Sequence, residues 1–381
     1  FTHGTALTAV AGNNYAVDVT VVATGDADGS NDMLSTSISA VSAIIAKVTV
    51  GEEKTGEWCG WCPRGNVAMA EMAMSNPSDF IGIAVHNADP MAIAAYDSGT
   101  AGLPGFTGYP HGGVDRMVGG DPSTFASMHA ARASEIPPAS ITVTGSYDGS
   151  NVTVNVTADF VGGLSGDYRL AAVLLEDDVD GEQENYYSGG GSGALSMPNG
   201  GSMPNFDFAT GAATVNPFQH DHVAIALADN QYNGAAGSLP ATITVGASET
   251  HTYTIAQNAS WNMANVHMVG MLINASTEEI LNAGKGSFPV SVEELANNFK
   301  VNAYPNPTSG FSNIVLDVKE AGALNITVVN MLGEVVYTVA QDLGTGSFIT
   351  SVDLSNNANG MYFANISLNG KVQTIKINVA K

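Results

Sequence analysis

The chain has few positively charged residues and no long hydrophobic runs. Its 381 residues include 36 Asp and Glu but only 12 Lys and Arg, so its formal net charge is −24. An acidic surface repels phosphate backbones and anionic lipid, which argues against binding to nucleic acid or to a membrane surface. No apolar run of the sequence is long enough to span a bilayer. We therefore expect neither nucleic acid nor a membrane surface among its partners.

Cysteine is also scarce. The chain contains 2 cysteines, too few for the disulfide scaffold that stabilises many small secreted domains. Both lie in the stretch "EWCGWCPRG", as Cys59 and Cys62, two residues apart between two tryptophans and ahead of a proline. Three interpretations follow from the spacing alone: a redox pair, half of a metal site, or a structural clip.

Small and turn-forming residues are abundant instead. With 43 glycines and 13% charged residues, the composition favours short-stranded β domains over helical ones. The length predicts more than one domain. We therefore expect a mixed multi-domain protein, in which an α/β domain is followed by antiparallel β-sandwich domains.

Hydropathy patterns divide the chain into four segments. Residues 1–45 alternate around an Asp/Gly/Asn turn and are too short to bury a core, which predicts the C-terminal part of a truncated N-terminal β domain. Residues 46–136 are predicted as strand, helix, strand, strand, helix, with an inserted loop at 88–107. Residues 137–290 contain many short alternating strands and are predicted as a β-sandwich, and residues 296–381 as a second, separate one.

Local signals place several elements. Pro63 suits the first turn of a helix, and Asp121 followed by Pro122 suits the N-cap and first position of another. The apolar run "FIGIAVHN" predicts a strand covered on both faces. The loop 180–217 is long enough that we expect it either to bind something or to be disordered.

Two acidic stretches raise the question of calcium. The first lies in the turn "DADGSND", which lacks the complete calcium-loop pattern and is interpreted as a solvated turn. The second begins the long loop and could hold Ca²⁺ as a low-ranked alternative to a solvated acidic turn, through Asp177, Asp178, Asp180 and Glu182.

A zinc site would need ligands beyond the two cysteines. His86 and His111 could contribute only if the inserted loop folds back, and His220 and His222 lie in a different predicted domain. A purely structural disulfide is a stronger rival to redox chemistry. A disulfide that closes such a short loop, however, restrains the unfolded chain little. A stabilising role therefore explains the cysteine pair less well than a redox role does.

The order strand, Cys-x-x-Cys, helix places the first sulfur at a helix N-terminus. Unpaired N–H groups and the helix dipole favour a thiolate there. We therefore predict that Cys59 attacks and that Cys62 resolves the mixed disulfide. Trp58 and Trp61 would shield the sulfurs and offer an apolar surface to a partner chain.

The stretch "AKVTVGEE", the motif "EWCGWCPRG" and a later "GYP" before a strand together resemble a thioredoxin-fold domain. The resemblance implies that Pro110 is a cis-proline shaping the substrate groove, that Glu53 is a buried acid relaying protons, and that no cofactor is required. His111 would then lie near the disulfide, where its protonated form would favour the thiolate; the alternative is a solvent-facing turn histidine. Tyr109 and Trp61 depart from the residues usual in thioredoxins.

Longer stretches resemble the outer-membrane-protein-28-related family of Bacteroidota. They include "FIGIAVHNADPM", "GYPHGGVDR", "ENYYSGGGSG" and "VHMVGMLINASTEEILNAGKG", which together cover roughly residues 46–290. The tail stretches "YPNPTSG", "ITVVNMLGEVV" and "NNANGMYFANISLNGKVQTIKINVAK" resemble a type A C-terminal sorting domain of the type IX secretion system.

The second resemblance implies a route and partners. The protein would pass through the periplasm and be secreted or placed at the cell surface, with residues 296–381 contacting the translocon and an outer-membrane shuttle protein. After cleavage the body would be released or attached to anionic lipopolysaccharide. Two functions stay open: a thiol–disulfide oxidoreductase acting on protein thiols, or a non-enzymatic surface protein that uses the redox fold as a scaffold.

Overall fold

The computed structural model describes residues 5–288, 299–318, 321–331, 333–369 and 371–381. It is mostly β and divides into two compact units, Phe1–Pro289 and Val290–Lys381. The described residues contain three α-helices: α1 (Pro63–Ser75), α2 (Ala94–Thr100) and α3 (Phe125–Arg132). None of these helices is long and apolar enough to cross a membrane.

The first unit contains seventeen strands among its described residues: β1 (Asn14–Thr20), β2 (Met33–Ser39), β3 (Thr49–Thr55), β4 (Phe80–His86), β5 (His111–Val114), β6 (Val118–Gly120), β7 (Ala139–Tyr147), β8 (Asn151–Phe160), β9 (Leu164–Ser165), β10 (Tyr168–Glu176), β11 (Val179–Glu184), β12 (Thr214–His220), β13 (Val223–Leu227), β14 (Thr242–Ile243), β15 (Ser248–Ala256), β16 (Val266–Asn274) and β17 (Ile280–Ser287).

The second unit contains seven in its described part: β18 (Phe299–Tyr304), β19 (Phe311–Val318), β20 (Gly322–Asn330), β21 (Val335–Leu343), β22 (Gly346–Asp353), β23 (Gly360–Leu368) and β24 (Lys371–Val379). They form a three-stranded sheet, β18-β19-β22, and a four-stranded sheet, β21-β20-β23-β24. Inward-facing residues of both sheets, such as Ile314, Ile326 and Ile366, form one core. Residues 296–298 of the predicted tail domain lie outside the described residues.

A mixed eight-stranded sheet organises the first unit. Its order is β17-β16-β10-β13-β4-β3-β5-β6, and β4 pairs in parallel with both β3 and β13. Every residue of β3 and β4 is buried, as the apolar run in β4 predicted. The two cysteines follow β3, which is an interior strand of this sheet.

The segments 46–136 and 137–290, predicted as separate domains, share this sheet. Strands β10, β13, β16 and β17 of the second segment continue it beyond β4. The physical reason is the edge of β4: without β13 beside it, a fully apolar strand would expose unpaired backbone groups. Alternating hydropathy locates the strands, but it does not say which strand lies beside β4.

The three-stranded sheet β15-β8-β7 packs against one face of the central sheet. Val154 and Val156 of β8 share a core there with Leu174 of β10 and Met268 of β16. Tyr96 of α2 belongs to a second core that includes Val173, Leu175 and Val269 of the central sheet. The inserted loop 88–107 thus contains a helix that helps to cover the sheet.

Hydrogen bonds from the cations of two buried ion pairs also join the two predicted segments. Arg116 Nη2 lies 2.9 Å from Glu52 Oε1, and its Nη1 donates to the carbonyl of Tyr232 at 3.0 Å. Lys47 Nζ lies 2.8 Å from Asp115 Oδ2 and donates to the Ile280 carbonyl. These groups are inaccessible to solvent, so removing one partner would leave an uncompensated buried charge.

The first segment contains the predicted hairpin, β1 paired antiparallel with β2. Several apolar side chains of this hairpin are exposed, among them Val19 and Leu34. That the hairpin belongs to a truncated β domain stays a prediction.

Candidate functional site

The two cysteines form a disulfide at the junction of β3 and α1. Cys59 and Cys62 are bonded through their sulfurs at 1.97 Å, with their Cα atoms 5.3 Å apart. The intervening turn is closed by backbone bonds from the Cys59 N–H to the Gly56 carbonyl and from the Cys62 N–H to the Cys59 carbonyl, at 3.0 and 2.9 Å. Cys59 is 4% exposed and Cys62 is 0% exposed, so both are buried and Cys59 is the less buried of the two.

Helix α1 begins at Pro63, which confirms the predicted first-turn proline. Cys62, and not Cys59, occupies the N-cap position. The first sulfur therefore lies one turn ahead of the helix rather than at its cap. It still faces the helix end whose unpaired N–H groups stabilise negative charge.

A cis peptide bond joins Tyr109 to Pro110, immediately before β5. The register of β5 on β3 pairs His111 with Lys54. The Tyr109 ring meets the Trp58 ring edge-on, with centroids 5.2 Å apart. The cis-proline therefore lies on the Trp58 side of the disulfide turn.

Glu53 lies beneath α1 with no exposed surface. Neither of its carboxyl oxygens has a hydrogen-bond partner among the described residues. Burial raises the pKa of Glu53 well above its usual value, and the nearby Arg64 charge opposes this only partly. The group is accommodated because residue 65 is glycine: a Cβ there would lie 1.7 Å from Glu53 Oε1. A buried carboxyl with a raised pKa thus lies against the first turn of the helix that follows the disulfide.

Lys54 and Asp97 contact Tyr109, the residue before the cis-proline. Lys54 Nζ lies 2.6 Å from Asp97 Oδ1, and the Tyr109 hydroxyl donates to the same oxygen at 3.0 Å. The Lys54 ammonium also lies 5.0 Å from the centroid of the Phe106 ring. Sequence reasoning missed both residues, because Asp97 lies in the inserted loop and a lysine in a central strand gives no local signal.

His111 matches neither of the alternatives raised from the sequence. It is 5% exposed, so it is not a solvent-facing turn residue. Its Nε2–H donates to the Pro104 carbonyl at 3.1 Å, and burial lowers its pKa. A neutral imidazole at this position supplies no positive charge to a thiolate.

A segment of the long loop lies across the disulfide turn. This segment, residues 182–187, is called the strap below. The Glu184 N–H donates to the Glu57 carbonyl at 2.8 Å, and the Tyr186 N–H to the Gly60 carbonyl at 2.9 Å. The ring of Trp61 meets that of Tyr186 edge-on at 5.6 Å. The loop 180–217 is thus ordered around the site, through β11, β12 and the core that Phe208 and Phe218 share with Val67 of α1.

Gln183 is the side chain that ties the strap to the turn. It is fully buried, and its amide nitrogen lies 3.0 Å from the Cys59 carbonyl and 3.1 Å from the Glu184 carbonyl. The Glu57 and Gly56 carbonyls lie slightly farther, at 3.3 and 3.4 Å. Nothing in the sequence around Gln183 indicated this role.

The four acidic residues predicted as a calcium site are engaged separately. Asp177 pairs with His267 at 2.9 Å, and the histidines around it lower its pKa despite burial. The Asp178 N–H donates to Asp221, while Asp180 and Glu182 accept bonds from the amides of Gln219 and Asn216. Within the described ranges no group of three or more His, Cys, Asp or Glu side chains could hold a metal ion. Asp177 and Asp178 precede β11 whereas Asp180 and Glu182 lie on it, and each of the four contacts a different partner, so they do not converge.

Two of the histidines weighed for zinc, His86 and His220, do come together. The rings of His86 and His220 lie 5.2 Å apart, and His86 Nδ1 lies 2.7 Å from Asp89 Oδ2. Burial and the neighbouring His86 lower the pKa of His220 to about 3. Its Nε2–H donates to the Glu182 carbonyl, so this pair supports the strap from behind.

Comparison with known families places two regions of the chain. Residues 103–289 match the family described as outer membrane protein Omp28, and residues 302–380 match the secretion system C-terminal sorting domain. The chain is an Omp28-related protein with a C-terminal sorting domain. Pro110 and Gln183 lie inside the Omp28 match, whereas both cysteines lie before it.

The sorting domain makes this Omp28-related protein a cargo of the type IX secretion system. Its destination is the cell surface or the exterior of the outer membrane. The domain implies contact with the secretion machinery during export.

Solved structures show weaker similarity. HBP35 of Porphyromonas gingivalis aligns over 88% of this chain and 99% of its own, with 19% identity and a TM-score of 0.46. A protein from Agrobacterium tumefaciens aligns over 65% of this chain and 98% of its own, with 14% identity and a TM-score of 0.35. Comparison with curated proteins finds no match.

Proposed function

We propose that this Omp28-related cargo is a thiol–disulfide oxidoreductase whose thioredoxin-like module spans residues 46–136. The observation that carries the proposal is the Cys59–Cys62 disulfide, which lies at the start of α1 above a buried, unpaired Glu53. A ring this small contributes little to the stability of the chain, whereas a buried unpaired acid destabilises it. Because neither feature stabilises the fold, their combination favours a catalytic role for the cysteine pair over a structural one.

The exchange proceeds at Cys59, the less buried of the two cysteines. A thiolate of a substrate dithiol attacks Cys59 Sγ, the Cys59–Cys62 bond breaks, and Cys62 leaves as a thiolate. The second substrate thiol attacks the substrate sulfur of the mixed disulfide and releases Cys59. The substrate dithiol is oxidised by two electrons to a disulfide, and the cysteine pair is reduced. In the reverse direction Cys59 is the nucleophile and Cys62 the resolving thiol.

Glu53 donates and accepts the proton that the exchange requires. Its raised pKa keeps the carboxyl protonated where an exposed glutamate would be ionised. Because it lies against Gly65, one turn beyond Cys62, it is placed to protonate the leaving sulfur and to take the proton back. Pro110 and Tyr109 form the wall of the substrate groove.

A non-enzymatic surface role is the second candidate, and one observation favours it. Cys59, the less buried of the two cysteines, is only 4% exposed beneath the strap. If the strap never moved, the pair would be a shielded clip, and the domain would act as a scaffold for binding.

Reduction of insulin by dithiothreitol, with the protein as catalyst, separates the two candidates. The wild-type protein should accelerate the reaction, and Cys59→Ser should reduce the rate to that of the uncatalysed control. Cys62→Ser is the matched variant: it should retain the first attack and accumulate a mixed disulfide with insulin that mass spectrometry detects. Background rates for wild type and both variants would remove the enzyme proposal.

A further inference from the structure

The strap contacts the disulfide turn along its whole length. Backbone bonds from Glu184 and Tyr186 reach the turn on either side of Cys59, and the Glu182 N–H donates to the Glu57 carboxylate at 3.1 Å. The groups that accept these bonds flank Cys59, so the strap covers the turn where an incoming thiol would approach its sulfur. A thiol therefore cannot reach Cys59 directly while the strap is bound to the turn.

We infer that Gln183 is a positioning residue that holds the strap closed over the disulfide, so that Cys59 reacts with a protein thiol only after the strap is displaced. This inference concerns regulation of the redox site and rests on the proposed function for its biological meaning. Gln183 is the side chain in the strap whose amide reaches the carbonyl of the reacting cysteine.

Removing the Gln183 amide should open the strap without unfolding the turn. The Cys59 carbonyl also accepts from the Cys62 N–H, the Glu57 carbonyl from the Glu184 N–H, and the Gly56 carbonyl from the Cys59 N–H. Replacement by methionine preserves the volume of the side chain and leaves these acceptors paired. The variant loses the Gln183 amide bonds to the turn, which we count as two hydrogen bonds of ordinary strength. Their loss should raise the fraction of molecules with an open strap roughly tenfold.

The test compares two reductants of different size on the intact protein. The rate of disulfide reduction is measured with reduced thioredoxin and with a small phosphine, by alkylation of the released thiols and mass spectrometry. In Gln183→Met the ratio of the thioredoxin rate to the phosphine rate should rise about tenfold over wild type. Simple destabilisation would not change this ratio in that way, because global unfolding exposes the sulfurs to both reagents.

Gln219→Met is the matched control. Its amide donates to Asp180 on the exposed side of the same β11–β12 hairpin, away from the cysteines. The control should keep the wild-type ratio. A ratio for Gln183→Met equal to that of wild type and control would overturn the inference.

A second variant opens the strap by a different route. A Cβ at residue 60 would lie 2.3 Å from Tyr186 Cδ1, so Gly60→Ala must push the tyrosine ring away. The ratio of rates should rise in this variant as well. If Gly60→Ala and Gln183→Met both leave the ratio unchanged, the strap does not control access.

Insulin reduction by the same variants separates this inference from the proposed function. Faster turnover in the opened variants supports both. A raised reductant ratio with no turnover in any variant supports the strap and rejects the enzyme. Full wild-type turnover with an unchanged ratio in the variants supports the enzyme and rejects the strap.

Discussion

Glu53 is the residue on which the pH dependence of the site depends. Its carboxyl is buried, it has no hydrogen-bond partner among the described residues, and its pKa is raised well above 4.5. A folded protein that holds this proton more tightly than the unfolded chain gains stability at low pH. This contribution is complete below the unfolded pKa and is lost as pH rises through the folded pKa.

Glu53→Gln should therefore become more stable relative to wild type as pH rises. Glutamine has nearly the same shape and does not ionise. The variant therefore avoids the free-energy cost of keeping a buried carboxyl protonated, which grows as pH rises above 4.5. We expect the difference in unfolding free energy to shift in favour of the variant by ~1 kcal/mol or more between pH 4.5 and 8, since one pKa unit corresponds to about 1.4 kcal/mol.

Urea denaturation at both pH values measures this shift. Glu71→Gln on the exposed side of α1 serves as control and should show no comparable trend. A Glu53→Gln difference that stays flat across the range would mean that the carboxyl is solvated in the folded state.

The sequence named the candidate site residues but not the residues that contact them from distant parts of the chain. Cys59, Cys62, Glu53 and Pro110 were named from local motifs and from resemblance. Gln183 was not, because it lies 124 residues from the cysteine whose carbonyl it contacts. No periodicity or spacing reports a contact of that range. For the same reason the sequence left open whether His111 lies near the disulfide or faces solvent, whereas in the structure Phe106 and Pro104 of the inserted loop cover it.

At the scale of elements, capping signals were reliable. Helix α1 starts at Pro63 as predicted, and Asp121 caps the turn that leads into α3 by accepting from the Ser123 N–H. Helix α2 and strand β11 were missed inside segments predicted as loops. Both are short and rich in small or polar residues, so tertiary contacts and not local propensity determine them.

Gly65 illustrates how α1 is adapted to the site. An alanine in a helix ordinarily adds about 0.5–1 kcal/mol relative to glycine. Here the added methyl would lie 1.7 Å from Glu53 Oε1, and the buried acid has little space in which to move. Gly65→Ala should therefore destabilise the protein by roughly 1–3 kcal/mol, the usual cost of overpacking a core.

The same substitution in a Glu53→Ala background should have the opposite sign. Without the carboxyl the methyl group meets no obstacle, and the helix propensity of alanine is recovered. Chemical denaturation of the four proteins of this cycle gives the coupling energy. Additive effects would show that Gly65 is not required to accommodate the acid.

At the scale of the whole molecule, the sequence predicts two domains, 46–136 and 137–290, where the structure has one shared sheet. Strand β13 lies beside β4 through the pairing of Val223 with Ala84, and the Arg116–Glu52 pair lies under Tyr232. Hydropathy assigns faces to strands without assigning neighbours, so a shared sheet looks like two domains in the sequence. We expect the body to unfold as one cooperative unit.

The tail has its own core, and this determines what its removal should do. The core residues that pack around Ile326 all come from residues 301–379. A chain ending at residue 288 retains the buried clusters around Val50, Val154 and Phe208. It should therefore fold with its disulfide and show one thermal transition, yet fail to reach the cell surface, because the region that matches the sorting domain is missing.

Cell fractionation with detection of the disulfide tests both parts of this prediction. The truncated chain should accumulate in the periplasm in oxidised form. Residues 299–381 fused to an unrelated exported protein should carry that protein to the surface, because these residues form both sheets of a compact unit. Surface delivery of the truncated chain at the wild-type level would place the export signal in the Omp28-related body instead.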